Sequence, residues 1–144
     1  MRQIGLFLIF TFLITANQVL AGSYIDNNNG TVTDQASRLV WQKSDDRNTR
    51  TWQESLNYCN SLSLAGFSDW HLPNIKELRS IVDNDLSYPS IASVFYSTPY
   101  YEYWSSTSDI NYQRDAYVVD FAYGHVLSGY KALDFYVRCV RGGN

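Results

Sequence analysis

Methionine is all but absent from this 144-residue chain, with one copy at position 1, and proline occurs only three times. Eight glycines form neither a Gly-X-Y repeat nor a linker-like tract, which excludes a collagen-like or low-complexity chain. No cationic excess exists to hold nucleic acid or an anionic membrane, since the formal net charge is −3. Histidine is limited to His71 and His125, and cysteine to Cys59 and Cys139. Neither pair is set in a His-Glu-x-x-His or Cys-x-x-Cys pattern, and no Gly-x-Ser-x-Gly elbow occurs. The chain therefore carries no motif for a zinc site, a nucleophilic serine or a bound cofactor. What it does have is an ordinary hydrophobic fraction of 45%, enough for one globular core at this length, and twelve tyrosines.

Arg2 is the only charge in residues 1–21, followed by the apolar run Leu6–Ile14 and then Val19-Leu20-Ala21. A basic start, an apolar centre and small residues before the cut predict a secretory signal peptide over 1–21, with 22–144 as one domain. The alternative is a membrane anchor, but the run is short for about 30 Å of hydrocarbon and Asn17 and Gln18 follow it. Cysteine is absent just after the cut, so a lipid anchor has no attachment point there. A secreted, periplasmic or cell-surface product without stable membrane insertion is expected. In an oxidising compartment Cys59 and Cys139 are expected to pair, closing a loop worth about 4.5 kcal/mol. The competing reading is a reactive thiol or metal ligand.

Along the exported part, residues 24–42 predict a hairpin, with Asn28-Asn29-Gly30 as turn and Leu39-Val40-Trp41 as second strand. Asp26-x-Asn28-x-Gly30 has a hint of a calcium loop, but the glycine is one place early and the closing Glu is missing. Thr51 and Glu54 form a capping box for a helix whose stripe is Trp52, Leu56, Cys59 and Leu62, ended by Ala65-Gly66. A second helix from Asn74, capped with Glu77, places Ile75, Leu78, Ile81 and Val82 on one face. Residues 103–107, 116–121 and 135–140 are strand-like, with Gly124 and Gly129 as punctuation between them. Two helices packed on a small, mostly antiparallel sheet make an α+β domain, with one disulfide joining the first helix to the last strand.

Several segments together resemble a known family: Gly30–Asp34, Leu39–Trp41, the run Leu64–Leu78 (LAGFSDWHLPNIKEL), Tyr103–Thr107 and Val137–Gly142. In this order they are similar to the C-terminal domain of the Legionella collagen-like adhesin, the Lcl C-terminal domain. The resemblance spans about residues 24–142. It implies a C-type-lectin-like fold with a helix-to-final-strand disulfide, and an extracellular binding module. It also implies glycosaminoglycan as a possible ligand class, and kinship with the variable binding proteins of diversity-generating retroelements. His71 departs from the Arg that this family usually carries between Trp and Leu-Pro. The collagen repeat and the lectin calcium motifs Glu-Pro-Asn and Trp-Asn-Asp do not occur, so trimer avidity and a lectin-type calcium site are not carried over.

Ten of the twelve tyrosines lie between positions 88 and 136. Tyrosine offers large contact area with a hydrogen-bonding tip, suited to sugar faces and to protein surfaces. Tyr103, Tyr117 and Phe121 are expected in the core. The candidate contact residues are Tyr112, Arg114, Tyr123, His125, Tyr130 and Lys131, presented by the sheet and loops after Trp104. From Leu86 onward four cations face five acids, so a dense polyanion site is not evident. Asp45-Asp46 and Asp83-x-Asp85 are read as solvated loops. The function expected is non-catalytic recognition of an extracellular glycan or a protein. The alternatives are an envelope assembly subunit with a protein partner, and an oxidase-like enzyme on the formylglycine-generating scaffold, which would need free thiols.

Overall fold

The computed structural model describes residues 23–95 and 101–142. The expected leader over 1–21, and Tyr96 and Tyr100, lie outside the described residues. Among the described residues no helix is long and apolar enough to cross a membrane.

Three short strands open the fold: β1 (Tyr24–Asp26), β2 (Thr31–Asp34) and β3 (Val40–Gln42). The expected two-stranded hairpin is thus a three-stranded meander. Asn28 and Gly30, both at positive φ, turn β1 into β2, and the Asp26 and Asn29 side chains accept from the backbone N–H groups of Asn28 and Thr31. A second turn at Asp34–Arg38 was hidden from sequence reasoning because it contains no glycine or proline. Asp26 pairs with Lys43 at 2.6 Å, so this carboxylate is already committed.

Helix α1 (Trp52–Ser61) starts at the predicted capping box, with Thr51 as N-cap. It ends earlier than expected, at Leu62, and Ala65-Gly66 instead forms a separate tight turn between Leu64 and Phe67. Helix α2 (Ile75–Ser80) begins at Asn74, whose side chain accepts from the Glu77 N–H at 2.9 Å. Then follow β4 (Glu102–Ser108), β5 (Asp115–Asp120), β6 (His125–Tyr130) and the two-residue β7 (Val140–Arg141).

The expected single sheet is two antiparallel sheets, ordered β1-β2-β3-β7 and β4-β5-β6. Residues 135–140, expected as one strand, cross from one sheet to the other. Tyr136 bridges to Tyr103 on β4, while Val140 pairs with Trp41 on β3. Between them Val137, Arg138 and Cys139 are buried, and the Cys139 carbonyl already accepts from the Gln42 N–H of β3 at 3.0 Å. The disulfide Cys59–Cys139, with Cα atoms 5.5 Å apart, fastens α1 to this crossing.

In the β4-β5-β6 sheet, β4 and β5 are covered on both faces, with the alternation a strand dictates. Tyr103 and Val119 point into a core with Trp41, Leu78, Ile81 and Phe95. Trp104 and Val118 point the other way, into a core with Cys59, Trp70, Leu72 and Cys139. Tyr103 and Phe121 are fully buried as expected, whereas Tyr117 is half-buried.

The Asp45-Asp46 pair is not a solvated loop. Asp45 is buried and accepts from the Tyr103 hydroxyl, with the Arg138 guanidinium 3.7 Å away. Asp46 receives both terminal nitrogens of Arg50. Partners distant in sequence, Tyr103 and Arg138, accompany the burial of Asp45, and no local pattern announces it.

Candidate functional site

The stretch between the expected strands 116–121 and 135–140, punctuated by Gly124 and Gly129, contains the strand β6. Gly124, at φ +75°, is the turn from β5. Gly129 is inside the strand, where a Cβ would stand 2.6 Å from Phe135 and 3.3 Å from Trp104. Its missing side chain is required by packing and does not break the strand.

With β6 in place, the six candidate residues divide into two groups. Asp115 faces Tyr130 at one end of the β5–β6 pair, and Asp120 faces His125 at the other. Five steps of about 3.3 Å separate the groups by about 17 Å.

The first group gathers Tyr112, Arg114, Tyr130 and Lys131 where the 109–114 loop meets the end of β6. The Arg114 guanidinium lies over the Tyr130 ring at 5.3 Å. Lys131 lies over the Trp52 ring at 4.3 Å and donates to the Ser108 hydroxyl at 2.8 Å and to the Gln113 carbonyl at 2.9 Å. Tyr112 is 65% exposed and its neighbour Ile110 is 88% exposed. The loop is braced by Asp109, which accepts from the Ser128 hydroxyl at 2.7 Å and the Asn111 N–H at 2.8 Å. The Ser128 bond, ahead of those backbone and Tyr117 bonds, holds the Asp109 carboxyl below the usual aspartate range. The surface is therefore a braced loop with rings and one guanidinium that, among the described residues, meets a ring but no hydrogen-bond or ion-pair partner, and Lys131 is partly spent on holding it together.

The second group is Tyr123 and His125, whose rings stack at 5.8 Å. Sequence reasoning missed their third member: Tyr88 packs edge-on against Tyr123 at 4.9 Å and the two hydroxyls are hydrogen-bonded. That bond raises the Tyr88 phenol above its ordinary pKa. Tyr123 and His125 line a cleft of about 520 Å3 with Arg79 and Asn84. A neighbouring cleft of about 260 Å3 holds Ile75, Lys76, Arg79, Tyr117 and Val126. The exposed cations of α2 were not anticipated as site residues, because their helix was assessed only for its apolar face.

His71, which stands at the departure from the usual Arg, keeps its backbone paired with Val140 while its ring sits 3.3 Å from Glu77. The buried cation of this fold is instead Arg138, held by the carbonyls of Gln42 and Lys43. Arg141 forms a two-pronged pair with Asp69 and stacks over Phe67 at 3.7 Å. Both arginines next to Cys139 are thus structural. Among the described residues no cluster of three or more His, Cys, Asp or Glu is placed to hold a metal.

No match is found among curated proteins. Residues 30–141, most of the chain, match the family model described as the Lcl C-terminal domain, and the chain belongs to that family.

Proposed function

We propose that the chain is an extracellular, adhesin-type binding module of C-type-lectin-like fold that recognises its ligand without transforming it. Membership of the Lcl C-terminal domain family supports the adhesin-type role, and the signal-like start of the sequence supports export. The α+β layout, with two helices, two small antiparallel sheets and a helix-to-crossing disulfide, supports the lectin-like frame that the family resemblance implies. The Cys59–Cys139 bond supports the binding reading over an oxidase-like one, which would need free thiols.

The observation that carries the reading is the meeting of Tyr112, Arg114 and Tyr130 at one braced loop. Exposed rings beside a guanidinium can stack on a sugar face and hold an acidic substituent at once. The ligand class proposed is a glycan bearing at least one acidic group. One arginine does not make a polyanion track, so binding to such a glycan keeps most of its strength at raised salt.

The test is a glycan array that includes sulfated polymers, read at two salt concentrations. Binding that survives high salt and is lost in Tyr112→Ala and Arg114→Ala is the expected result. Silence across the array refutes glycan recognition and leaves the envelope subunit with a protein partner as the reading to pursue.

A further inference from the structure

The outer edge of β6 is open. The sheet order is β4-β5-β6, and the opposite edge, along β4, is met by Tyr136, whereas among the described residues none pairs with the outside of β6. Such edges are ordinarily blunted by lysine, proline or a bulge. The strand His125-Val-Leu-Ser-Gly-Tyr carries none of these, and its register with β5 runs unbroken through six pairs. Val126 and Leu127 are 38% and 44% exposed on it. An uncharged, regularly paired, partly apolar edge of this length is a template for another strand.

Beside this edge stand two uncommitted cations. Lys76 and Arg79 project from α2, are exposed, and make no side-chain hydrogen bond or ion pair among the described residues. With Ile75 and Tyr117 they form the wall and floor of the cleft that Val126 lines. Strand alternation puts Val126, Ser128 and Tyr130 on this α2 side of the sheet and His125, Leu127 and Gly129 on the other.

We propose that β6 is a docking edge for an extended segment of a partner protein that adds to the sheet as a further strand. The added strand carries acidic side chains on the α2 side, reaching Lys76 and Arg79 across Val126, and apolar side chains on the side of Leu127. Main-chain bonds to β6 supply affinity and the alternating side chains supply selection. A second copy pairing through its own β6 is a poor occupant, because β6 has no acidic residue to offer the two cations. This edge shares Tyr130 with the Tyr112–Arg114 surface but includes neither Tyr112 nor Arg114, so replacing Tyr112 separates the two readings.

The probe is a fluorescein-labelled peptide of four Glu-Val repeats, followed by anisotropy with the disulfide-bonded protein near physiological salt. Saturable binding is expected, and none for the Lys-Val counterpart. N-methylation of one alternate set of peptide amides weakens binding at least about tenfold, while methylation of the other set leaves it within about twofold. The double variant Lys76→Glu/Arg79→Glu, both surface positions, reverses the preference toward Lys-Val, and Tyr112→Ala changes neither. Equal binding of the two methylated peptides means adhesion by charge without strand pairing and overturns the proposal. Absence of any anisotropy change at millimolar protein, or indifference to the double variant, overturns it as well.

Discussion

Arg138→Met puts the buried cation of this fold to a quantitative test. The guanidinium is wholly buried, donates to the Gln42 carbonyl at 2.7 Å and the Lys43 carbonyl at 2.5 Å, and lies 3.7 Å from Asp45. The rings of Phe95 and Tyr103 flank it at 5.2 and 5.8 Å. Burial pulls its pKa down, against the pull of Tyr103 and Asp45, and burial also pushes the Tyr103 phenol well above its usual range. Tyr103 therefore remains a donor to Asp45 at any ordinary pH. Methionine fills similar volume but leaves two carbonyls and a carboxylate facing apolar surroundings. Removing one side of a buried charge cluster costs about 3–5 kcal/mol, against about 5–15 kcal/mol for a whole domain.

With a urea slope of about 1.5 kcal/mol/M, the midpoint of unfolding falls by about 2–3 M. Asp45→Asn is milder, about 1–2 kcal/mol, because the carbonyl bonds are shorter than the Asp45 contact and the amide oxygen still accepts from Tyr103. The double variant is less destabilised than the sum of the two singles, with a coupling of at least about 1 kcal/mol. A midpoint shift below about 0.5 M for Arg138→Met, or strict additivity, would refute the view that this cation organises the crossing between the sheets.

The remaining predictions use the same denaturation assay. Opening the Cys59–Cys139 bridge, which spans 80 residues, lowers stability by up to about 4.5 kcal/mol, seen as an earlier midpoint in Cys59→Ala/Cys139→Ala. Gly124→Ala places a Cβ 2.6 Å from Val82 at φ +75°, and a loss of about 1–3 kcal/mol is expected, where an unchanged midpoint would contradict the packing described. The lowered pKa of Asp109 means that its contribution is complete above the ordinary aspartate value of about 3.9 and disappears as pH falls through the lower folded value. Midpoints measured from pH 6 down to pH 2 should thus drop less in Asp109→Asn than in the parent, and parallel curves would dismiss the tie to Ser128.

Local chemistry was legible where local chemistry decides. Both capping boxes, at Thr51/Glu54 and Asn74/Glu77, are formed as their spacing predicts, because the interaction is complete within four residues. The disulfide followed from two cysteines and an oxidising compartment, without any geometry. The meander, the crossing of 135–140 and the second sheet were not legible, since each depends on which distant backbone offers a free edge. Asp45 shows the limit most sharply. It sits in a run as polar as any surface loop, and only Tyr103, 58 residues away, and Arg138 make it a core residue.

The candidate site was legible by composition and illegible by position. Composition marks tyrosine and arginine after Trp104 as candidates, yet the six candidate residues lie at two ends of a strand that its glycines disguise. Once β6 is a strand, its lack of clean apolar–polar alternation acquires a physical meaning. Val126 and Leu127 are adjacent and both exposed, so they lie on opposite faces of an edge that water reaches on each side. A sequence that leaves two apolar neighbours uncovered, omits every protective charge from the strand, and places Lys76 and Arg79 on the helix beside it has charge available next to the edge but not on it. That distribution repels no incoming strand and favours one with acidic side chains.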